Sequence, residues 1–302
     1  RKFDENDVKG YDKLLKTSKD IFEIGFEKLS DKPFISFWEM AKQLPSLIKL
    51  KSYLTVSQLV NSKLKNKYLR KAFSIHPLLV GGNPFTTTSI YALIHYLERK
   101  WGVYFCMGGT GKIVKELENL MVRQGIDIKK QSDVERISIT NGKAENVVLT
   151  DGSKIEADLV ICNADPPTVY SEMLPSKYSR DSLLKPKKFT HYSMGLYVLF
   201  FGSKKKFSDV AHHTIWMSER YKELLHDIFE KKILTDDFSL YLHRPTATDE
   251  TFAPEGCDSF YVLCPVPNLQ GDVQWESEGP KLKDKIVEAL DRTIMPGLTE
   301  NI

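Results

Sequence analysis

Residues 1–102 carry apolar side chains at helical spacing. Near the start of the chain one apolar face recurs every three to four residues, at Tyr11, Leu14, Leu15, Ile21, Phe22 and Phe26. Ser36 and Glu39 stand three residues apart, which is the spacing of a helix capping box. The pattern predicts a helical lobe over residues 1–102.

Lysines and apolar residues alternate irregularly over residues 44–67. The apolar set is Leu44, Leu47, Ile48, Leu50, Leu54, Leu59 and Val60, and the lysines are Lys49, Lys51, Lys63, Lys65 and Lys67. A lysine-rich apolar helix attracts anionic lipid headgroups. The same pattern also fits a core helix with a solvated lysine face. Both interpretations remain open at this stage.

A tight turn followed by a helix is predicted near residue 110. Three glycines precede a segment of helical periodicity: Gly108, Gly109 and Gly111. Gly125 marks the end of that segment, as expected of a helix C-cap. Lys112 is followed by Ile113, so the turn lacks the G-x-x-x-x-G-K-[ST] pattern of a nucleoside triphosphate site. The glycine turn fits a structural role better than a binding role.

The residues that follow predict short strands. Asn141-Gly142 and Asp151-Gly152 each lie between runs rich in Val, Ile and Leu, which is the signal of a β-meander. The short apolar run at 157–162 predicts a buried strand. That strand would end at Asn163, Ala164 and Asp165, where a ligand could bind.

Beyond Pro166 the pattern changes to longer alternating runs. They predict four strands, at Tyr192–Gly202, His213–Met217, Phe238–His243 and Ser259–Val266. Helices are predicted over 219–232 and 281–294. Together with the preceding segments this is a fold of the α/β plus α+β class, with a helical lobe and an extended mixed sheet.

Composition excludes several classes of protein. With 302 residues the chain is expected to form two structural regions. A net charge of +3 gives no electrostatic case for nucleic-acid binding. The longest apolar runs fall short of the ~18 residues that a membrane span requires. The four cysteines form no C-x-x-C pair, which predicts buried free thiols in a reducing compartment.

Adjacent histidines at His212 and His213 suggest a metal site at first sight. Successive residues of a strand point to opposite faces of the sheet, so the two side chains are not expected to bind one ion. The sequence therefore predicts no metal site.

Several long blocks of the chain resemble the bacterial-type phytoene desaturases, flavoenzymes of carotenoid synthesis that belong to the FAD-dependent, amine-oxidase-like flavoproteins. The blocks are AFSIHPLLVGGNPF (Ala72–Phe85), ERKWGVYFCMGGTGK (Glu98–Lys112), HHTIWMSERYKELLHDIF (His212–Phe229) and FSLYLHRPTATDETFAPEGCDSFYVLCPVPNL (Phe238–Leu269). The resemblance runs nearly the whole length of the chain. It implies FAD as cofactor and phytoene, a C40 polyene, as a substrate that is desaturated to neurosporene or lycopene.

The resemblance also implies how the chain is organised. The family has an amino-terminal G-x-G-x-x-G loop and a carboxy-terminal glycine-rich segment, and both are missing here. The chain is therefore expected to be the central part of a two-domain, Rossmann-like FAD protein, with both ends cut and with weak or no binding of FAD by itself. Residues 1–102 would form the helical part of the substrate domain, 103–168 the middle of the FAD-binding domain, and 169–302 the sheet of the substrate domain.

Site residues follow from the same resemblance. The family's suspected acid/base carboxylate corresponds to Glu39, and a family arginine three positions later corresponds to Lys42, which lacks the bidentate geometry of a guanidinium. The flavin is expected near Val134 and near Asn163, Ala164 and Asp165. The apolar runs Tyr197–Phe201 and Phe260–Leu263 would line a tunnel for the polyene, or else form the core of the sheet.

Location and activity are also implied by the resemblance. The protein is expected in the cytoplasm, held peripherally at the inner face of the cell membrane, where such a substrate dissolves. A related carotenoid isomerase, a desaturase of another polyene, and a non-catalytic lipid- or membrane-binding remnant remain the alternatives.

Overall fold

The computed structural model describes residues 3–32, 36–178 and 191–302, apart from the side chains of Phe37, Glu39 and Met40. The chain divides into two compact units. The first unit comprises Arg1–Gly109 and Ser193–Ile302, and the second unit comprises Thr110–Tyr192. Each unit is described by itself below.

The amino-terminal part of the first unit is helical, as the spacing of its apolar residues predicts. Its α-helices are α1 (Val8–Gly25), α2 (Phe37–Lys49), α3 (Val56–Asn61), α4 (Lys67–Ser74) and α5 (Leu93–Trp101), with 3₁₀ turns at Glu5–Asp7, His76–Val80 and Ser89–Ala92. One core cluster joins these elements through Leu14, Ile21, Leu50, Val56, Leu59, Val60, Leu64 and Ala92. The buried Asp7 carboxylate accepts hydrogen bonds from the backbone N–H groups of Lys65 and Asn66, which fixes the start of α1 against the start of α4.

The lysine-rich residues 44–67 are divided between helices and the turns that join them. Helix α2 ends at Lys49, the chain turns through Lys51 with a positive φ of 57°, and α3 begins again after Thr55. Thr55 and Gln58 form a capping box, which explains where the second helix starts. Most of the apolar side chains after the turn are buried, so α3 is a core helix rather than a lipid-facing one.

The second unit holds one longer helix and a small sheet. Its elements are α6 (Thr110–Arg123), β1 (Val134–Thr140), β2 (Lys143–Leu149), β3 (Lys154–Glu156) and α7 (Pro166–Thr168), the last continued by a π-helical turn at Val169–Met173. The strands pair antiparallel in the order β1-β2-β3. Asn141 and Gly142 both have positive φ, as the two-residue hairpin between β1 and β2 requires. The predicted helix and meander are therefore confirmed.

The buried strand predicted at 157–162 does not form. Residues 157–162 belong to no strand, and Leu159 and Ile161 are 74% and 87% exposed. A strand of this apolar composition is stable when neighbouring strands bond both of its edges and other elements cover both of its faces. Among the described residues no such neighbours pair with it. Cys162 is exposed for the same reason, and of the four cysteines only Cys264 is fully buried.

The carboxy-terminal part of the first unit is built on a four-stranded sheet. Its elements are β4 (Gly195–Ser203), β5 (His213–Trp216), α8 (Tyr221–His226), a π-helical turn at Asp227–Lys231, β6 (Leu240–His243), 3₁₀ turns at Pro245–Ala247 and Glu250–Phe252, β7 (Asp258–Val266), α9 (Trp275–Thr293) and α10 (Leu298–Asn301). The strand order is β4-β7-β6-β5. All four predicted strands are present, with ends shifted by a few residues.

This sheet is antiparallel throughout the described residues, so the mixed sheet predicted from the sequence is wrong. Burial alternates residue by residue along β7 and along most of β4. Such alternation is typical of an antiparallel sheet that buries one face and leaves the other open, whereas parallel sheets are covered on both faces. Leu282, Ile286 and Leu290 of α9 fill the core under the buried face.

No helix in the described part of the chain is both long enough and apolar enough to cross a bilayer.

Candidate functional site

The face of the four-stranded sheet that is turned away from α9 is the main candidate for a functional surface. We call it the open face. Its apolar and aromatic members are Leu196, Val198, Phe200, Ile215, Tyr241, Tyr261 and Leu263, which are exposed or half-buried. Phe200 is 74% exposed, although it lies in the middle of a strand in a sheet with a well-packed core. The first unit thus presents several exposed apolar side chains on one face of a sheet, and proteins ordinarily cover or use such a face.

Strand register arranges the open face in rows. One row runs Val198, Leu263, Tyr241 and Ile215 across the four strands, because each is the direct partner of the next. The next row runs Phe200, Tyr261, His243 and His213 in the same way. The rings of Tyr261 and His243 stack at 4.5 Å between centroids. The face is therefore aliphatic in its middle and aromatic with imidazoles at one end.

Tyr197–Phe201 and Phe260–Leu263 were expected either to line a tunnel or to form the core of the sheet, and the structure divides these residues between the open face and the core. Tyr197, Leu199 and Phe201 of β4 and Phe260 and Val262 of β7 pack into the core cluster above α9. The alternate residues of both strands lie on the open face. The described residues thus form one apolar wall rather than an enclosed tunnel.

Three histidines meet at the imidazole end of the open face, and we call them the histidine cluster: His212, His213 and His243. One ring nitrogen from each lies within 4.8 Å of the others. The Nδ1 atoms of His213 and His243 are 3.4 Å apart, and Tyr241 Oη lies 2.7 Å from the first and 3.2 Å from the second. His212 Nδ1 contacts Thr248 Oγ1, while His212 Nε2 is buried without a hydrogen-bond partner in the described structure.

The expectation that His212 and His213 point apart is wrong. His212 lies just before β5, outside the regular pleat, and the two rings lie 4.4 Å apart between centroids. His243 joins them because it is the cross-strand partner of His213. In the sequence, His213 and His243 are thirty residues apart in two predicted strands. Only the register of β5 against β6 shows that their side chains lie next to each other.

Burial disfavours the charged form of these imidazoles. It lowers the pKa of His243 to about 4, with a further contribution from the two neighbouring histidines. The pKa values of His212 and His213 are also lowered, chiefly by burial. Burial, with Tyr261 beside it, raises the pKa of the Tyr241 phenol. All four groups are therefore neutral near pH 7, with imidazole lone pairs available to a ligand.

The glycine turn before α6 has a structural role next to the histidine cluster. The backbone N–H of Gly108 donates to the buried carboxylate of Asp249 at 2.8 Å. Gly109 has a φ of 81°, and a Cβ at this position would come within 2.8 Å of the Phe252 ring. The turn places Phe105 against His212, with 4.7 Å between ring centroids. These contacts support the structural interpretation of the glycines over a phosphate-binding one.

A second group of titratable side chains lies in the helical part of the first unit. His76 and His95 are 6% and 8% exposed, and His76 Nε2 is 3.5 Å from a carboxylate oxygen of Glu98. Burial lowers the pKa of His95 to about 4, and the hydrogen bond from His76 lowers the pKa of Glu98. Glu98 accepts from His76 Nε2, while His76 Nδ1 and His95 Nε2 are buried without a hydrogen-bond partner in the described structure.

The two predicted catalytic residues lie on one helix. Glu39 and Lys42 are three residues apart on α2, which brings them to the same face. Lys42 is exposed, and the side chain of Glu39 lies outside the described part of the structure. Their roles therefore stay predictions.

The predicted flavin-binding residues all lie in the second unit. Val134 begins β1 and is 38% exposed. Asn163, Ala164 and Asp165 are exposed immediately before α7, and the Asp165 side chain makes no hydrogen bond to that helix. The segment before them forms no strand, so the strand end at which the sequence predicts a ligand is absent from the described residues. The flavin-binding roles of these residues stay predictions.

Comparison with known proteins identifies the family. The model of the flavin-containing amine oxidoreductases matches residues 3–240. The chain belongs to this family, and membership implies FAD as cofactor. A solved oxidoreductase from Methanosarcina mazei shares the fold, with a TM-score of 0.59 at 18% identity over 88% of this chain and 59% of that one.

Curated relatives match almost the whole chain. It is 43% identical over 99% of its length to a lycopene-forming phytoene desaturase from Pseudescherichia vulneris, and 42% identical over 100% to one from Pantoea ananas. A neurosporene-forming phytoene desaturase from Rhodobacter capsulatus is 38% identical over 98% of the chain. The chain spans 61%, 62% and 58% of the lengths of these three relatives.

Proposed function

We propose that this chain is the central part of an FAD-dependent desaturase that converts phytoene to a more conjugated carotene, neurosporene or lycopene. One observation carries the proposal: phytoene desaturases match 98–100% of the length of this chain, at 38–43% sequence identity. The open face of the first unit agrees with it, because a long hydrocarbon substrate offers no polar groups and must be held by apolar contact.

The open face would form one wall of the substrate path. Val198, Phe200, Tyr261 and Leu263 would contact the polyene, and the residues that alternate with them would hold the sheet on α9. Four strands at about 4.8 Å spacing give the face a width of about 14 Å. It would therefore hold one stretch of a C40 chain, and other parts of the protein would hold the rest.

The second unit would be the middle of the FAD-binding domain. Val134 and Asn163–Asp165 would contribute one edge of the cofactor site. The flavin, when bound, accepts the hydride that leaves the substrate. The uncovered apolar side of α6 and the exposed Leu159 and Ile161 support this assignment, because a Rossmann-like domain covers such surfaces with its remaining strands and helices.

Glu39 would act as an acid/base group, with Lys42 beside it on α2. Desaturation releases a proton from the carbon next to the one that loses hydride, and a carboxylate on a helix of the substrate domain could accept it. In the complete protein, Glu39→Gln should slow desaturation far more than it changes flavin content. Lys42→Gln tests the second residue to which the resemblance assigns a catalytic role. Wild-type turnover of Glu39→Gln would remove this residue from the mechanism.

Peripheral attachment to the cytoplasmic face of the membrane would bring the enzyme to its substrate. Helix α2 carries Trp38, Leu44 and Ile48 at 74%, 54% and 58% exposure, and it also carries Lys42 and Lys49. Exposed apolar side chains among lysines suit an anionic lipid surface. The complete protein should sediment with anionic vesicles, and Leu44→Ser with Ile48→Ser should weaken this more than Leu196→Ser, a change at another exposed apolar position.

The deciding experiment expresses the complete protein in cells that accumulate phytoene and analyses the extracted pigments. Neurosporene or lycopene would support the proposal. Unchanged phytoene together with folded, flavin-loaded protein would favour an isomerase or a desaturase of another polyene. Folded protein that binds neither flavin nor polyene would favour a non-catalytic remnant.

Phe200→Asp on the open face should reduce the amount of carotene product with little loss of stability, whereas Phe201→Asp should unfold the sheet.

A further inference from the structure

We propose that His212, His213 and His243 bind one divalent transition-metal ion of the Zn²⁺ type through three imidazole nitrogens. The proposal goes beyond the proposed desaturase activity, which assigns no role to these three residues. It stands on the geometry of the histidine cluster and holds whether or not the proposed function is correct.

The spacing of the nitrogen atoms fits a tetrahedral ion. Zn–N bonds of 2.0–2.1 Å place two ligand atoms about 3.3–3.4 Å apart at the tetrahedral angle. His213 Nδ1 and His243 Nδ1 are 3.4 Å apart, and no nitrogen of the set is farther than 4.8 Å from another. Two ligands are therefore at their final separation, and the third needs a shift that a change of side-chain rotamer or of the loop before β5 can supply.

The surroundings of His212 are those of a metal ligand. A ligating imidazole usually gives the N–H of its other nitrogen to a nearby oxygen, which fixes the tautomer. His212 Nδ1 lies within hydrogen-bond distance of Thr248 Oγ1 and can donate to it. That tautomer leaves the lone pair on Nε2, which is buried without a hydrogen-bond partner in the described structure. A bound ion would satisfy this atom.

A fourth position is also provided. Tyr241 Oη lies within 3.2 Å of both Nδ1 atoms, where an oxygen donor or a water molecule would complete the coordination. His213 is exposed, so an ion can enter from solvent. The nearby Arg244 is paired with Asp258 at 3.8 Å, which limits its repulsion of a cation. Three imidazoles and one oxygen are a ligand set that Zn²⁺ and Co²⁺ both accept.

The second group, His76, His95 and Glu98, provides an internal comparison. Its ligand atoms also lie within 4.8 Å of one another, but its two imidazole rings are 5.8 Å apart between centroids and His76 Nε2 is already engaged by Glu98. Both histidines of this group are buried, so an ion has no direct entry from solvent. The histidine cluster is therefore the site we assign.

The test titrates the metal-free complete protein with Co²⁺ and then displaces it with Zn²⁺, following visible absorption and, separately, heat. We expect one ion per chain and the intense visible bands of a four-coordinate Co²⁺ centre. His213→Gln and His243→Gln should each weaken binding at least tenfold. His226→Gln, at an exposed histidine outside both groups, and His95→Gln should leave it unchanged.

Several outcomes would overturn the proposal. They are no binding at micromolar Co²⁺ or Zn²⁺, binding that both cluster variants retain, or binding that His95→Gln abolishes. If His243→Gln does not fold, as judged by near-ultraviolet circular dichroism, the exposed His213→Gln decides alone. Because the readout is metal binding, failure here leaves the pigment experiment unaffected, and absence of carotene product does not count against the metal site.

Discussion

The two units bury their apolar residues to different degrees. In the first unit, helices and sheet close over core side chains such as Ile21, Leu242 and Ile286, each of which is 0% exposed. In the second unit, α6 has an apolar face but none of its described residues is buried. Two helices with a similar amphipathic pattern thus bury their apolar faces to different extents. The pattern shows which face needs covering, and the rest of the protein decides whether it is covered.

The largest expected effect on unfolding free energy comes from removing one apolar side chain from each unit and comparing the two losses. Ile286→Ala in α9 should cost about 2–5 kcal/mol of unfolding free energy, because it leaves a cavity in a closed core. Leu117→Ala in α6, where the side chain is 54% exposed, should change the stability of this chain by no more than about 0.5 kcal/mol. Urea denaturation followed by circular dichroism measures both.

The same two substitutions can be compared again in the complete protein, where further residues are available to cover α6. If the remaining residues of an FAD-binding domain cover α6, Leu117→Ala should there become costly, in the range of a core substitution. An equally small effect in both forms would show that α6 stays uncovered, and would count against placing the second unit within a larger domain.

The next effect is a loss of stability in acid that comes from a buried histidine of the first unit. The pKa of His95 falls from 6.5 to about 4 on folding, chiefly because the ring is buried. Below pH 6.5 the unfolded chain takes up a proton that the folded chain does not, so stability is present above that pH and is lost as the pH falls from 6.5 towards 4. This shift corresponds to at most about 3 kcal/mol.

The histidine cluster and Glu98 lose stability in the same direction, so a variant isolates His95. His95→Phe should flatten the pH profile of the unfolding free energy between pH 6.5 and 4, whereas the exposed His226→Phe should leave it as in the wild type. An unchanged slope in His95→Phe would show that this ring is not held neutral by burial.

Sequence patterns predicted local structure better than they predicted partners. The turn at Asn141-Gly142, the four strands of the sheet and the helical lobe depend on short-range signals, and the structure contains them. The buried strand predicted at 157–162 does not form, because an apolar pattern does not say which elements lie against it. Of the two interpretations of residues 44–67, the core helix holds for α3. The histidine cluster was missed for a related reason: it depends on the register between β5 and β6, which no local pattern encodes.

The predicted site shows the same limit. Glu39, Lys42, Val134 and Asn163–Asp165 came from resemblance to a family, and their roles stay predictions. The structure places the first two on α2 of the first unit and the others in the second unit. The open face could be foreseen only in part. Alternation along β4 and β7 divides their residues between two faces, but which face is covered depends on the side of the sheet against which α9 packs.

The smallest effect concerns two glycines with the same backbone conformation, one in each unit. Gly109 and Gly142 both have a φ of 81°, so replacement by alanine carries a similar strain of about 1 kcal/mol at either position. Only Gly109 meets a neighbour, because its Cβ would lie 2.8 Å from the Phe252 ring, whereas nothing lies within 4 Å at Gly142. Gly109→Ala should therefore cost about 1 kcal/mol more of unfolding free energy than Gly142→Ala. This is at the low end for overpacking, because Phe252 is 36% exposed and can move outward.

Urea denaturation of the two variants measures the difference, and Phe252→Ala should remove it. Equal losses in the two single variants would mean that the glycine turn is held loosely, and that its contacts with Asp249 and Phe252 do not fix Phe105 against the histidine cluster.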